Sequence, residues 1–123
     1  MYFLRVFYII LLLVVTVFTS VVSGKDRNVF YSPACGVLCD QFICTDSHGV
    51  SPALTEKYLG RKAAENLRTV GEYNPEEFTF SNGIFCDVKE KLCRDDRYFD
   101  ADGRRSGKVN ENATMMLFDC TSQ

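Results

Sequence analysis

The chain has 123 residues, with 14 Lys and Arg against 16 Asp and Glu, one His, no Trp and a formal net charge of −2. That length holds one domain with a modest core. A mildly acidic balance excludes a general electrostatic pull toward nucleic acid or an anionic membrane, so any RNA contact needs a local basic patch.

Arg5 is the only charge before Lys25, and an apolar run from Val6 to Val22 ends in the small residues Ser23-Gly24. This is the layout of a secretory signal peptide. The competing reading is an N-terminal membrane anchor, because the run approaches the length of a span. Residues 1–24 are read as a signal peptide and 25–123 as the mature, secreted domain. All six cysteines lie in that domain: Cys35, Cys39, Cys44, Cys86, Cys93 and Cys120. An even count in a short secreted chain predicts three disulfides and leaves their connectivity open. With no Cys-x-x-Cys pair and a single histidine, a zinc site is disfavoured, and no metal or cofactor is expected.

Residues 25–50 carry three closely spaced cysteines with Pro33, Gly36 and Gly49, a cross-linked strand-and-loop segment. Ser51-Pro52 then opens a helix, serine capping free amides and proline fitting the first helical position. Leu59, Ala63, Leu67 and Val70 follow at helical spacing, predicting one helix over 51–70 with Gly71 as its stop and Gly60 as a mild internal penalty. The period then changes to two. Phe78-Thr79-Phe80, the turn Ser81-Asn82-Gly83 and Ile84–Val88 predict a hairpin. Further strands are expected at Lys91–Arg94 and Arg97–Phe99, with Cys86 and Cys93 positioned to close the loop between theirs. Asp100–Gly107 reads as a polar loop and Met115–Cys120 as a last strand. No internal repeat is visible. One helix followed by antiparallel strands is an α+β arrangement.

The run Ala34-Cys35, Cys39, Cys44, then the helix, then Glu76-Glu77-Phe78-Thr79-Phe80, then Phe118-Asp119-Cys120 resembles the small fungal guanyl-specific ribonucleases. The resemblance implies a microbial ribonuclease-like fold, one helix packed on a curved antiparallel sheet. It also implies that one cysteine of the first three reaches Cys120. Matching the triplet in order selects Cys39; matching an aromatic-x-Cys tripeptide, Phe42-Ile43-Cys44, selects Cys44. The short run from Cys44 to Ser51 favours Cys44–Cys120, with Cys35–Cys39 as the remaining near pair and Cys86–Cys93 as an extra bridge. The long bridge would contribute on the order of 4 kcal/mol by chain entropy.

Ribonucleases of that kind need a base and an acid for the 2′-hydroxyl and the leaving oxygen, which the resemblance assigns to a glutamate and histidines, with an arginine on the phosphate. Here Gly71–Pro75 holds no histidine, Ile84–Val88 no glutamate, and nothing after His48 supplies a second histidine. Only Arg97 matches, as the residual phosphate-type position, so no catalytic residues are assigned and no enzymatic activity is expected. His48 lies in a polar loop, and Asp46-Ser47-His48 is no triad, since triads are recognised by geometry.

A ribonuclease-like chain without its acid and base, with a signal peptide, an aromatic-x-Cys motif and a terminal cysteine, resembles the RNase-like effectors of powdery mildew fungi. That resemblance implies a secreted, monomeric virulence effector that enters the plant host cell and binds a host protein, an immune receptor or RNA. The alternative is an extracellular disulfide-rich binding or toxin-like module unrelated to ribonucleases. Three further features stand apart. Asn112-Ala113-Thr114 is an N-glycosylation pattern. Arg104, Arg105 and Lys108 form a candidate basic patch, Gly103-Arg104-Arg105 doubling as a dibasic processing pattern. Asp100, Asp102 and Gly103 suggest a calcium loop but lack the remaining ligand spacing.

Overall fold

The computed structural model describes residues 3–6 and 29–121, so the expected signal peptide, apart from residues 3–6, lies outside the described residues. From residue 29 the chain opens with β1 (Phe30–Ala34), which turns at Cys35-Gly36 into β2 (Val37–Asp40). Gly36 takes φ +76°, a backbone conformation that favours glycine. β2 pairs with β3 (Cys44–Asp46), and β3 with β4 (Gly49–Val50), giving a four-stranded antiparallel sheet in chain order. The β2–β3 turn is held by Asp40, whose Oδ1 accepts from the amides of Phe42 at 2.7 Å and Ile43 at 2.9 Å. An aspartate at the end of a strand can do this because its short side chain reaches the amides two and three residues on. Ser51 then caps α1 (Pro52–Leu59), its hydroxyl accepting from Leu54 N–H at 3.1 Å, and α2 (Arg61–Thr69) follows.

The rest of the chain builds a second unit on the same plan. β5 (Glu77–Thr79), β6 (Phe85–Asp87) and β7 (Leu92–Arg94) form a three-stranded antiparallel sheet, and α3 (Glu111–Phe118) closes the chain. Gly83-Ile84-Phe85-Cys86-Asp87 stands where the first unit has Gly36-Val37-Leu38-Cys39-Asp40. Asp87 Oδ1 accepts from Lys89 and Glu90 amides, as Asp40 does from Phe42 and Ile43. Cys86 faces Cys93 across the strands as Cys39 faces Cys44. The sequence reading of no internal repeat is therefore corrected. The repeat is one of backbone frame and a few key side chains, and connections of unequal length mask it.

One hydroxyl in each unit docks the helix onto the sheet. Thr55 Oγ1 accepts from Cys44 N–H at 2.9 Å and donates to Ser51 O at 2.7 Å. Thr114 Oγ1 accepts from Cys93 N–H at 2.9 Å and donates to Asn110 O at 2.7 Å. The residue preceding each helix also donates back to the strand cysteine: Ser51 N–H to Cys44 O at 3.0 Å, Asn110 N–H to Cys93 O at 2.8 Å. The buried backbone N–H and C=O of Cys44 in β3 and of Cys93 in β7 are thus satisfied by the helix start that follows each sheet.

The two units share a core. Leu38 of the first unit is packed with Phe78, Phe80, Cys86, Cys93, Ala113 and Leu117 of the second. Phe80 meets Phe30 edge to face at 5.1 Å between ring centroids and Phe78 at 5.5 Å. Asp40 Oδ2 accepts from Ser81 N–H at 2.7 Å, so one carboxylate holds its own turn and the second unit together. At the other seam Val50 N–H donates to Pro75 O at 2.9 Å, and a Cβ on Gly49 would run into that same carbonyl.

The α+β class stands, as a small fold with two antiparallel sheets, but several finer expectations are corrected. In place of one helix on one curved sheet, each sheet has its own helical partner. The predicted helix 51–70 breaks at Gly60, whose φ of 99° lies outside the helical region. Val70, expected on the buried stripe, is 67% exposed, while Ala64 is buried. Met115–Cys120, read as a strand, falls largely in α3, which Asn110 caps through Ala113 N–H at 2.9 Å. The bridges are Cys35–Cys120, Cys39–Cys44 and Cys86–Cys93. The expected Cys44–Cys120 and Cys35–Cys39 pairings are therefore overturned. Cys39 and Cys44 are opposed in register with Cα atoms 4.2 Å apart, which leaves Cys35, in the β1–β2 turn, to meet Cys120 beyond α3.

Candidate functional site

The units differ most between the third strand and the helix. In the first, Ser47 and His48 alone separate Asp46 from Gly49, which pair across the turn. In the second, Asp95 N–H donates to Lys108 O at 2.8 Å, and Arg94 bridges Val109 as Thr45 pairs with Val50. The same frame therefore closes around an insertion, Asp96 to Gly107.

That insertion is a hairpin. Phe99 opposes Arg105; Asp100 N–H donates to Arg104 O at 2.7 Å, Gly103 N–H to Asp100 O at 3.0 Å, and Ser106 N–H to Tyr98 O at 3.0 Å. Its base is tight. A Cβ on Gly107 would come within 2.6 Å of Asp96 O, and Arg94 Nη1 donates to Gly107 O at 2.9 Å.

Arg105 anchors the hairpin to the sheet. Its guanidinium lies 4.3 Å from the Phe85 ring centroid and 4.1 Å from that of Phe99, between β6 and the hairpin. Its Nη1 donates to Arg97 O at 3.0 Å, its Nη2 is 3.6 Å from Glu77 Oε1, and its side chain is only 14% exposed. A planar, weakly hydrated cation suits this stacked, forked position better than an ammonium. Beyond the anchor, Tyr98 is 62% and Phe99 59% exposed. Two aromatic residues are thus held at the surface on a fixed base, with the Arg97 guanidinium 5.8 Å from the Tyr98 ring.

The residues singled out in the sequence fall into place around this hairpin, some in new roles. Arg97 belongs to its first arm and is exposed. Of the candidate basic patch, Arg104 and Lys108 are exposed while Arg105 is turned into the aromatic sandwich, so the three present no joint cationic face. Asp102 Oδ1 accepts from Arg104 N–H at 3.0 Å, which uses the tip as a turn. Among the described residues no three His, Cys, Asp or Glu are grouped to hold a metal ion. His48 is exposed in the tight β3–β4 turn, where its amide donates to Asp46 Oδ1 at 2.8 Å. Asn112 is exposed in the first turn of α3, but Thr114 of the same pattern is the buried hydroxyl that docks α3 on Cys93. The sequence alone does not single out Tyr98, Phe99 or the anchoring role of Arg105, because Arg97-Tyr98-Phe99 has the pattern of an ordinary strand.

Apart from the hairpin, a concave feature of about 280 Å³ lies between the β2–β3 turn and α2, lined by Phe42, Ile43, Ala63, Leu67 and Val70 with the polar Gln41 and Asn66.

Against known proteins, residues 30–118 match the family model described as YcgJ protein. The chain is 62% identical over 117 residues to the "Uncharacterized protein YcgJ" of Escherichia coli strain K12, covering 95% of this chain and 96% of that protein. No solved structure matches. These findings overturn the fungal resemblance. They point to a bacterial protein, so the powdery mildew effector family and the ribonuclease-like effector function that it implied are set aside. The matched segment begins at the first residue of β1 and ends at the last residue of α3, so it spans both units, the hairpin between β7 and α3, and five of the six cysteines: the chain belongs to the YcgJ family.

Proposed function

We propose that this chain is an exported binding module of the bacterial envelope, with no catalysis of its own, that recognises a protein partner through the hairpin 96–107. One observation carries the reading: the connection between third strand and helix, two residues in the first unit, is a twelve-residue hairpin in the second, and that hairpin holds Tyr98 and Phe99 exposed on an arginine-anchored base. Aromatic residues and arginine dominate the energetic centres of protein–protein interfaces, because they offer large contact area with few rotatable bonds. A projecting arm, rather than a cleft, suits a protein groove more than a small substrate. Export is supported by the apolar N-terminal run and by three disulfides, which form and persist in the bacterial periplasm but not in the cytosol.

Site-specific photo-cross-linking in the producing cells tests this. A benzoylphenylalanine at position 98 is expected to yield one discrete protein adduct that the same group at the exposed position 62 of α2 does not. No adduct at 98, or equal adducts at both positions, contradicts the reading.

A further inference from the structure

The three bridges sit in two different environments. Cys39, Cys44, Cys86 and Cys93 are fully buried, each pair joins neighbouring strands in register, and each lies in a hydrophobic cluster. The second cysteine of each pair also has both backbone groups bonded, through Thr55 with Ser51 and through Thr114 with Asn110. Cys35 and Cys120 are exposed instead, one in the β1–β2 turn and the other beyond the end of α3. Their bridge spans 85 residues of sequence yet joins only these two ends. The turn lies against the last turn of α3, a Cβ on Gly36 coming within 3.9 Å of Leu117 O. What holds α3 does not depend on the bridge: Ala113 and Leu117 are buried in the shared core, and Thr114 is bonded to Cys93.

We propose that Cys35–Cys120 is a site of thiol–disulfide exchange, opened by a dithiol and closed again by the reverse exchange with the disulfide form of that dithiol, while the domain remains folded. A thiolate of the dithiol attacks Sγ of Cys120, the Cys35–Cys120 bond breaks, and Cys35 leaves as a thiolate that takes up a proton. The second thiol of the dithiol then attacks the mixed disulfide, releasing Cys120 as a thiol and leaving the partner oxidised. Two electrons pass from the dithiol to the bridge. Attack needs access to a sulfur, which the exposure of Cys35 and Cys120 favours and the full burial of the other four cysteines denies. Opening it releases Cys120 and the 35–36 turn from one another, and leaves both sheets and the helix docks intact.

The oxidised full-length protein is incubated with increasing dithiothreitol under native conditions, quenched with iodoacetamide and mapped by peptide mass spectrometry. A species alkylated only at Cys35 and Cys120 is expected to form at least about tenfold faster than any opening of the buried bridges, with the far-ultraviolet circular dichroism unchanged. The double variant Cys35→Ser/Cys120→Ser is expected to remain folded and to resist the same reductant. Simultaneous appearance of all six thiols, prior opening of Cys39–Cys44 or Cys86–Cys93, or an unfolded double variant would overturn the proposal.

Discussion

At the residue scale, two threonines and one arginine carry more of the fold than their residue types suggest. Each threonine hydroxyl has one proton, so it donates along the shorter path, to Ser51 O or Asn110 O, and accepts from the strand cysteine's amide. Replacing Thr114 with valine keeps the shape and leaves the buried Cys93 N–H without a partner, a loss of about 1–3 kcal/mol. Thr55→Val is expected to cost a similar amount at the equivalent place. Urea denaturation of the two variants checks this; a change within about 0.5 kcal/mol for both would mean that the docks are incidental. Arg105→Lys is expected to be nearly as disruptive to the hairpin as Arg105→Ala, because an ammonium cannot stack between Phe85 and Phe99 while also reaching Arg97 O and Glu77. Limited proteolysis between residues 97 and 105 should rise in both variants and stay unchanged in Arg104→Ala, whose side chain is exposed beside Asp102.

At the element scale, the helical region gives a test with opposite signs for two pictures. In one continuous helix over 51–70, Gly60→Ala would stabilise by roughly 0.5–1 kcal/mol through helix propensity. In the observed pair of helices Gly60 has φ 99° with open space around it, so alanine meets no clash but an unfavourable backbone, and the variant is expected to lose about 1–2 kcal/mol. A rise in melting temperature would contradict the break. This element also shows where sequence reasoning stopped short. Ser51-Pro52 as a helix start and Ser81-Asn82-Gly83 as a hairpin turn were legible, because cap and turn residues act through local geometry. By propensity Gly60 is only a mild cost within one helix, although a glycine can equally set a positive-φ joint between two helices. In α3 the apolar run Met115–Phe118 has the look of a strand, while the capping Asn110 and the acidic Glu111 in the first turn are the signals of a helix start.

At the scale of the whole molecule, the repeat was present in the sequence as Gly-x-x-Cys-Asp at 36–40 and 83–87, but unequal connections hid its extent. The threonine that docks the helix lies 11 residues from its cysteine in the first unit and 21 in the second. The insertion responsible is the candidate site, so the feature that obscured the architecture is the one on which the proposed recognition role rests. The disulfide pattern follows from the same repeat: once Cys86 is seen to face Cys93 across a Cys-Asp turn, Cys39 facing Cys44 follows, and Cys35 remains for Cys120. A borrowed register obscured this, because a cysteine order taken from another family imposes that family's topology.

The claim that the units form the scaffold and the hairpin forms the recognition element is tested most directly by removing the hairpin. Replacing residues 96–107 with Ser-His, the connection that closes the first unit, should leave a folded chain with all three disulfides. Added untagged as a competitor, this variant should fail to suppress the adduct formed through position 98, whereas the intact chain suppresses it. A variant that cannot fold, or one that competes as well as the intact chain, would contradict the account.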